Sequence, residues 1–361
     1  MKICLVLPYD ISLTGGVTNH VVNFAIEMQE KGKDVTILTT SSKNNFSIKN
    51  VKIINLGKPV PIKFGSTVAH ILLSWKSIFR IYNFFKINNF NIVHIHEPLV
   101  PFISIFSIIF SRSKTVLTFH ATLKKSWKFR AWGYLLKPWV ETKNYIITVS
   151  NSAHKSLEVY NYNFPVNVYP NGVSKNLFFN SNLIKKDKLK ILFVGRNEER
   201  KGVDLLLKAF KLLNLKNLKN DFELVMIGKD IEILKNTYNE LDNCKFFGHL
   251  EGKDLYDHYR NSDILCSPAI ENESFGIVLM EAMATKTAVL ASDINGYSEL
   301  INNKNGLLFK NKNKNDLLNK LTLLIEDDNL RNNLKKRGYE FSKKYNWKKV
   351  SEDILKVYKN L

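Results

Sequence analysis

Glu273 and Glu281 stand eight positions apart in Glu273-Ser-Phe-Gly-Ile-Val-Leu-Met-Glu281, bracketing a glycine and the start of an apolar helix that continues into Ala-Met-Ala. Gly276 lets the backbone approach a ligand closely, and the first N–H groups of the helix behind it can receive a diphosphate. In that arrangement the first carboxylate faces a sugar and the second, about two turns along, accepts hydrogen bonds from a ribose. The same spacing also fits an amphipathic helix with one solvated glutamate, so the frame needs partners elsewhere in the chain.

The first partner is Gly195-Arg196 with Arg200-Lys201-Gly202, directly after the apolar run Ile191–Val194. Arg196 and Lys201 leave one strand end together and can clamp two phosphates, the arginine by its fork and the lysine as a point charge. The second is Gly15-Gly16 between a strand and a helix, which presents backbone donors to an anion or makes a plain turn. The third is Thr118-Phe-His120-Ala-Thr-Leu-Lys124-Lys125, where a strand ends on a histidine followed by two cations. His120 can meet a hydroxyl of a sugar or an acceptor, and the lysines an anionic acceptor; a structural hydrogen bonder is the alternative. His94 and His96 alternate in Val-His-Ile-His-Glu-Pro98 without an evident third ligand, so structural or acceptor-lining roles are expected rather than a metal site.

Positioning these groups requires parallel sheets. Short runs rich in Val and Ile alternate with helix-period segments: 3–7, 35–40, 92–95, 116–119 and 146–149, then 191–194, 223–227, 264–266 and 288–291. This is the α/β pattern of doubly wound sheets, and it occurs twice. At 361 residues the chain exceeds the size of a usual single core. The break falls at Pro170-Asn-Gly172 and the aperiodic segment 176–188, giving domains at 1–174 and 175–344, with a helix at 345–361 carrying Val350, Ile354, Leu355 and Tyr358 on one side. Ligands bind beyond the carboxyl ends of such strands, which places the expected site in a cleft between the domains.

The net charge is +20, and residues 1–170 hold 20 basic against 7 acidic side chains. An anionic partner is implied. Nucleic acid is not expected, because the aromatics sit at core periodicity rather than along a basic groove. Cys4, Cys244 and Cys266 lie far apart, as reduced thiols of a cytoplasmic protein do. The N-terminal apolar run is too short for a signal peptide, and the run Leu99–Phe110 is too short to cross a bilayer. Segment 69–86 reads as one helix with Ile71, Leu72, Trp75, Ile78, Phe79, Tyr82 and Phe85 among Lys76, Arg80 and Lys86. It suits either an anionic membrane surface or the core, with snorkelling cations.

Together these segments resemble the retaining glycosyltransferases of the GT-B fold, family 4, and within it the phosphatidylinositol α-mannosyltransferases. The resemblance is carried by Pro8-Tyr9, Gly15-Gly16-Val17 with His20, Gly57-Lys-Pro-Val-Pro-Ile62, the blocks at 93–98, 118–120 and 170–173, Gly195-Arg196, Arg200-Lys201-Gly202 and the frame 273–284. It implies that Gly16, Arg196 and Lys201 hold the donor diphosphate, assisted by backbone groups of Ser274, Phe275, Gly276 and Ile277. Glu281 would take the ribose, Glu273 the transferred sugar, and the segment at His249-Leu250 the base. Tyr9, His120 and Lys125 would meet the acceptor, with His120, Glu273, Arg196 and Lys201 at the reacting centre.

Ile270-Glu-Asn272 stands where relatives often carry glycines, and Leu255 where a basic donor contact is expected, with Lys253 as a substitute. The implied reaction transfers mannose from GDP-mannose, a nucleotide-sugar, to an anionic lipid such as phosphatidylinositol at the inner face of the cell membrane. The alternatives are a UDP-sugar-dependent glycolipid glycosyltransferase and a nucleotide-sugar 2-epimerase. No tightly bound cofactor or metal is expected, and Mg2+ is at most stimulatory. With no carboxylate evident beneath the anomeric carbon, a front-face route is expected, in which the cations absorb the charge on the departing diphosphate.

Overall fold

The computed structural model describes residues 1–44, 46–48, 50–64, 67–123, 125–141, 144–164, 166–178, 188–218 and 221–361. Its contacts divide it into two units, Met1–Gly172 with Trp347–Leu361, and Val173–Asn346.

In the first unit the strands are β1 (Lys2–Asp10), β2 (Asp34–Thr40), β3 (Lys52–Asn55), β4 (Val60–Phe64), β5 (Thr67–Ile71), β6 (Ile92–His96), β7 (Lys114–Phe119), β8 (Asn144–Thr148) and β9 (Asn167–Val168). They run parallel in the order β3-β2-β1-β6-β7-β8-β9, with β4 and β5 as an antiparallel hairpin joined to β1 at Tyr9 and Ile71. Strands covered on both faces need continuous apolar runs, and Ile3 to Leu7 are all fully buried. The helices are α1 (Gly16–Glu30), α2 (Trp75–Ile87), α3 (Ile103–Phe110), α4 (Trp127–Glu141) and α5 (Asn151–Lys155).

The second unit carries β10 (Leu189–Val194), β11 (Phe222–Ile227), β12 (Cys244–Phe247), β13 (Ile264–Ser267), β14 (Ala288–Ser292) and β15 (Leu307–Phe309), all parallel in the order β12-β11-β10-β13-β14-β15. Its helices are α6 (Val203–Leu213), α7 (Leu234–Thr237), α8 (Gly252–Arg260), α9 (Ile277–Ala284), α10 (Asn295–Ser298), α11 (Lys314–Glu326) and α12 (Asp328–Ser342). The last helix, α13 (Trp347–Asn360), belongs to the first unit. There Trp347, Val350, Ile354 and Tyr358 join Phe24 and Met28 of α1 in one core layer, while α2, α3 and α4 close the opposite face.

Each sheet reverses its winding beside its first strand, between β1 and β6 and between β10 and β13. Loops leaving neighbouring strands diverge there, which makes a crevice at the carboxyl ends. The loops after β10 and β13 are those that carry residues 195–202 and 268–276.

The segment expected as one helix over 69–86 is corrected. Residues 67–71 pair with β4 in register from Val60 opposite Ile71 to Phe64 opposite Thr67, and the helix begins only at Trp75. The alternation Thr67-Val-Ala-His-Ile71 satisfies its backbone groups in that ladder, and Ile71 and Leu72 are buried there rather than on a helix. Among the described residues no helix is long and apolar enough to cross a membrane.

Trp347 is nearly inaccessible, and a Cβ on Gly172 would lie 2.3 Å from its ring. Trp347→Ala is therefore expected to cost about 3–5 kcal/mol of unfolding free energy, read by urea denaturation.

Candidate functional site

In the second unit the loop after β10 turns through Gly202, held at φ +69, where a Cβ would sit 2.0 Å from the Pro268 carbonyl oxygen. Glycine alone fits, and it brings the loop against the end of β13. The Arg200 carbonyl then accepts from the Ile270 N–H at 2.8 Å. This contact places two cations on one carboxylate. Glu273 Oε1 accepts from Arg200 Nη1 at 2.8 Å and from Lys201 Nζ at 2.5 Å. Glu198 pairs with Arg200 Nε at 2.8 Å and with Arg196 Nη1 at 3.4 Å. Three cations thus meet two carboxylates, and a diphosphate arriving there competes with the carboxylates for the same donors.

Beyond Glu273 the chain passes Ser274 and Phe275 to Gly276, at φ +77, which caps α9. A Cβ on Gly276 would be 2.8 Å from the Tyr297 ring. The Leu279 N–H is taken by the Gly276 carbonyl at 3.0 Å, while the N–H groups of Ile277 and Val278 at the start of α9 point back toward this turn. Phe275 itself is buried against Tyr345, so only its backbone can serve a ligand. Glu281 accepts from Tyr259 Oη at 2.7 Å, and burial pushes its carboxyl up to about 7. Leu250 packs on the adjoining core just before α8. Of the residues expected to touch the donor, the fold therefore gathers Lys201, Glu273 and the 274–277 turn closely. Arg196 stands further out, more than a third exposed.

In the first unit Gly15 is extended and Gly16 opens α1 with no atom within 4 Å of a would-be Cβ. Neither glycine has a positive φ and no close packing demands Gly16, whose absent side chain leaves the helix N-terminus uncovered. One turn on, His20 lies 4.7 Å from the His120 ring, centroid to centroid. His120 directly follows β7, and its Nε2 shares a hydrogen bond with His96 Nδ1 at 2.9 Å. Glu97, at φ +48, accepts from the His120 and Ala121 N–H groups at 2.9 and 2.8 Å through one oxygen. Burial raises Glu97 to about 7 and also holds Tyr9 well above the usual tyrosine range, the Glu97 charge adding to the latter. Lys125 is exposed on the loop before α4, and Lys124 lies outside the described residues.

The expectation that His96 has no further ligating neighbours is corrected. His20, His96 and His120 bring ring nitrogens within 4.8 Å of one another, because β6, β7 and α1 converge at the carboxyl end of the sheet. Three neutral imidazoles are a ligand set that suits zinc. Their nitrogens are partly committed already: His20 Nδ1 lies 2.6 Å from Asn171 Oδ1, and His96 and His120 are joined to each other. His20 Nε2 and His96 Nε2 are buried without a hydrogen-bond partner, so hydrogen bonds satisfy the cluster only in part. His94, stacked on His96, spends both nitrogens on Tyr358 and Thr118 at 2.5 Å each.

Arg200, Glu97, His20 and Tyr259 received no role from the sequence. Arg200 is adjacent to Lys201, and His20 stands just after the Gly15-Gly16-Val17 block without an assigned role; only the strand order brings it to His96 and His120. Burial lowers His20 to about 4 and His94, His96 and His120 well below the imidazole range. A lowered base stabilises the fold above its unfolded pKa and loses that contribution as pH falls toward the folded one. The raised acids Glu97 and Glu281 act oppositely, but four imidazoles outweigh two carboxyls. Thermal melting should therefore fall between pH 7 and pH 5, and fall less in His20→Gln, as read by scanning fluorimetry.

Comparison with known proteins bears on both units. The family described as Glycosyltransferase Family 4 matches residues 14–177, and Glycosyl transferases group 1 matches residues 174–341. The phosphatidyl-myo-inositol mannosyltransferase of Mycobacterium leprae is 30% identical across 100% of this chain and 97% of its own. Among solved structures, sucrose-phosphate synthase from Thermosynechococcus elongatus aligns with a TM-score of 0.79 at 19% identity, covering 99% of this chain and 98% of that one. The Anabaena protein HepE, in complex with UDP-glucose, aligns at 0.76 and 15% identity over the whole of both chains. The glycine-set cradle on β10 and β13, the two parallel sheets and a full-length relative at this identity lead to one assignment: the chain belongs to glycosyltransferase family 4, with the GT-B fold.

Proposed function

We propose that this glycosyltransferase moves mannose from GDP-mannose to the inositol of an anionic lipid such as phosphatidylinositol, with retention at the anomeric carbon. The observation that carries the reading is the cluster of Arg200, Lys201 and Glu273 at the head of α9, in a chain 30% identical end to end to a phosphatidyl-myo-inositol mannosyltransferase. Lys201 and Arg196 hold the donor diphosphate, together with the 274–277 backbone. As phosphate oxygens take over Lys201 and Arg200, Glu273 is released toward the hexose hydroxyls. Glu281, steadied by Tyr259, accepts from the ribose, and Leu250 lies by the base.

The departing diphosphate carries growing negative charge, and fixed cations with oriented N–H groups stabilise it without reorganising. The same oxygens take the proton of the incoming hydroxyl on the front face. His120, kept neutral by burial, and Tyr9 orient the acceptor, Lys125 meets the acceptor phosphate, and the Gly16 N–H serves the donor diphosphate. Mg2+ has no assigned seat in this scheme and acts at most as a stimulator. The enzyme works on the cytoplasmic face of the membrane, with α2 as its surface contact: Trp75 and Phe79 are 75% and 72% exposed beside Lys76 and Lys86. Such a composition suits an anionic leaflet.

The test combines GDP-mannose, UDP-glucose, UDP-galactose and UDP-GlcNAc with liposomes that contain or lack phosphatidylinositol, and reads product mass. A hexosylated phosphatidylinositol from GDP-mannose alone is expected. Transfer from a UDP-sugar moves the donor assignment, and an epimerised free sugar without acceptor overturns transfer altogether. Lys201→Ala should lower turnover roughly 100-fold, the usual loss for a charge-stabilising donor; near-normal turnover removes it from the mechanism.

A further inference from the structure

The outward side of α4 has no place in the chemistry above. A helix on a globular surface turns polar residues to water, and one that is apolar all round is covered. The inner side of α4 buries Gly133, Leu136 and Val140. Its outer side carries Trp127 at 75%, Tyr134 at 74%, Leu135 at 58% and Trp139 at 44% exposure. Trp127, Ala131, Tyr134 and Pro138 fall at i, i+4, i+7 and i+11 on one stripe, with Leu135 and Trp139 along its edge. Lys128 borders the stripe on one side, and Arg130 and Lys137 on the other. The helix has one acidic residue, Glu141, which is paired with Lys137 at 3.5 Å.

Exposed indole and phenol rings between cations match the headgroup zone of an anionic bilayer, where amphipathic rings settle and lysines meet phosphates. A protein partner would need acidic complements to three cations and an apolar groove of its own; an anionic lipid surface supplies both in one place. We propose that α4 is a second membrane-docking helix, laying Trp127, Tyr134, Leu135 and Trp139 into the headgroup layer of an anionic bilayer while Lys128, Arg130 and Lys137 engage lipid phosphates. The proposal rests on the lipid-surface reading given above for its partner and extends it to a helix that no sequence signal singled out. α3 touches both α2 and α4, and Trp75 and Tyr82 of α2 meet Phe102 and Phe110 at its ends edge to face. Docking through α4 would also hold the loop of His120 and Lys125, which leads into it, at headgroup depth.

The experiment uses the full chain carrying Trp75→Phe, so that tryptophan fluorescence reports on α4, with phosphatidylcholine vesicles with and without phosphatidylglycerol, brominated in the upper acyl chain. Quenching that requires the anionic lipid is expected. Tyr134→Ser with Leu135→Ser should weaken vesicle co-sedimentation about tenfold or more, since two apolar contacts with the bilayer are lost, with melting temperature and transfer to a detergent-dispersed acceptor unchanged. Vesicle binding without quenching overturns α4 as a docking helix and leaves α2 as the contact. A concentration-dependent dimer that shields the same rings assigns the face to a second copy and overturns the proposal. Absence of any vesicle binding overturns both contacts, whereas loss of transfer with quenching intact contradicts the lipid-acceptor reading alone.

Discussion

The second unit depends on one carboxylate shared by two cations. Glu273 Oε1 takes both Arg200 and Lys201, and this is possible only because Gly202 lets the β10 loop touch Pro268 at the end of β13. The glycine, the strand order and the ion cluster are one constraint seen at three scales. Without the switch between β10 and β13 the loops would not meet; without Gly202 they would collide. Without Glu273 the partly buried Lys201 would lose its carboxylate and Arg200 would keep only Glu198, an arrangement that costs more than any surface pair gains.

That cluster also gives the ground state its character. The cations are neutralised while no diphosphate competes for them, so under the proposed mechanism donor binding exchanges one set of oxygens for another rather than creating charge contacts from nothing. The exchange frees a carboxylate next to the position proposed for the hexose. In the first unit the counterpart is a neutral array: four imidazoles and a raised carboxyl crowd the ends of β6 and β7, ordered by hydrogen bonds and not by ion pairs. Such a surface suits hydroxyl groups better than phosphates.

Much of this was legible in the sequence, and the reasons for the rest are physical. Long buried strands such as Ile191–Val194 announce themselves because burial on both faces demands unbroken apolar runs. Short or edge strands do not: Lys52–Asn55 and Cys244–Phe247 are too brief to stand out as apolar runs, and the end of β5, Ala69–Ile71, falls within the expected helix because Ile71 also satisfies its spacing. Lys201 and Glu273 were identified as separate contacts, one for phosphate and one for sugar. Their pairing depends on two loops 72 residues apart, which spacing along the chain does not encode. The exposed rings of α4 were equally invisible, since an apolar residue in a helix reads as core whichever way it faces.

The central claim is that Lys201 belongs to the diphosphate and Glu273 to the sugar, although the two are bonded to each other beforehand. Calorimetric titration of GDP into the wild type, Lys201→Ala and Glu273→Gln tests it directly. The account predicts that Lys201→Ala loses most of its affinity for GDP, while Glu273→Gln binds GDP at least as tightly as the wild type. Wild-type affinity in Lys201→Ala, or loss of GDP binding in a folded Glu273→Gln, would contradict it.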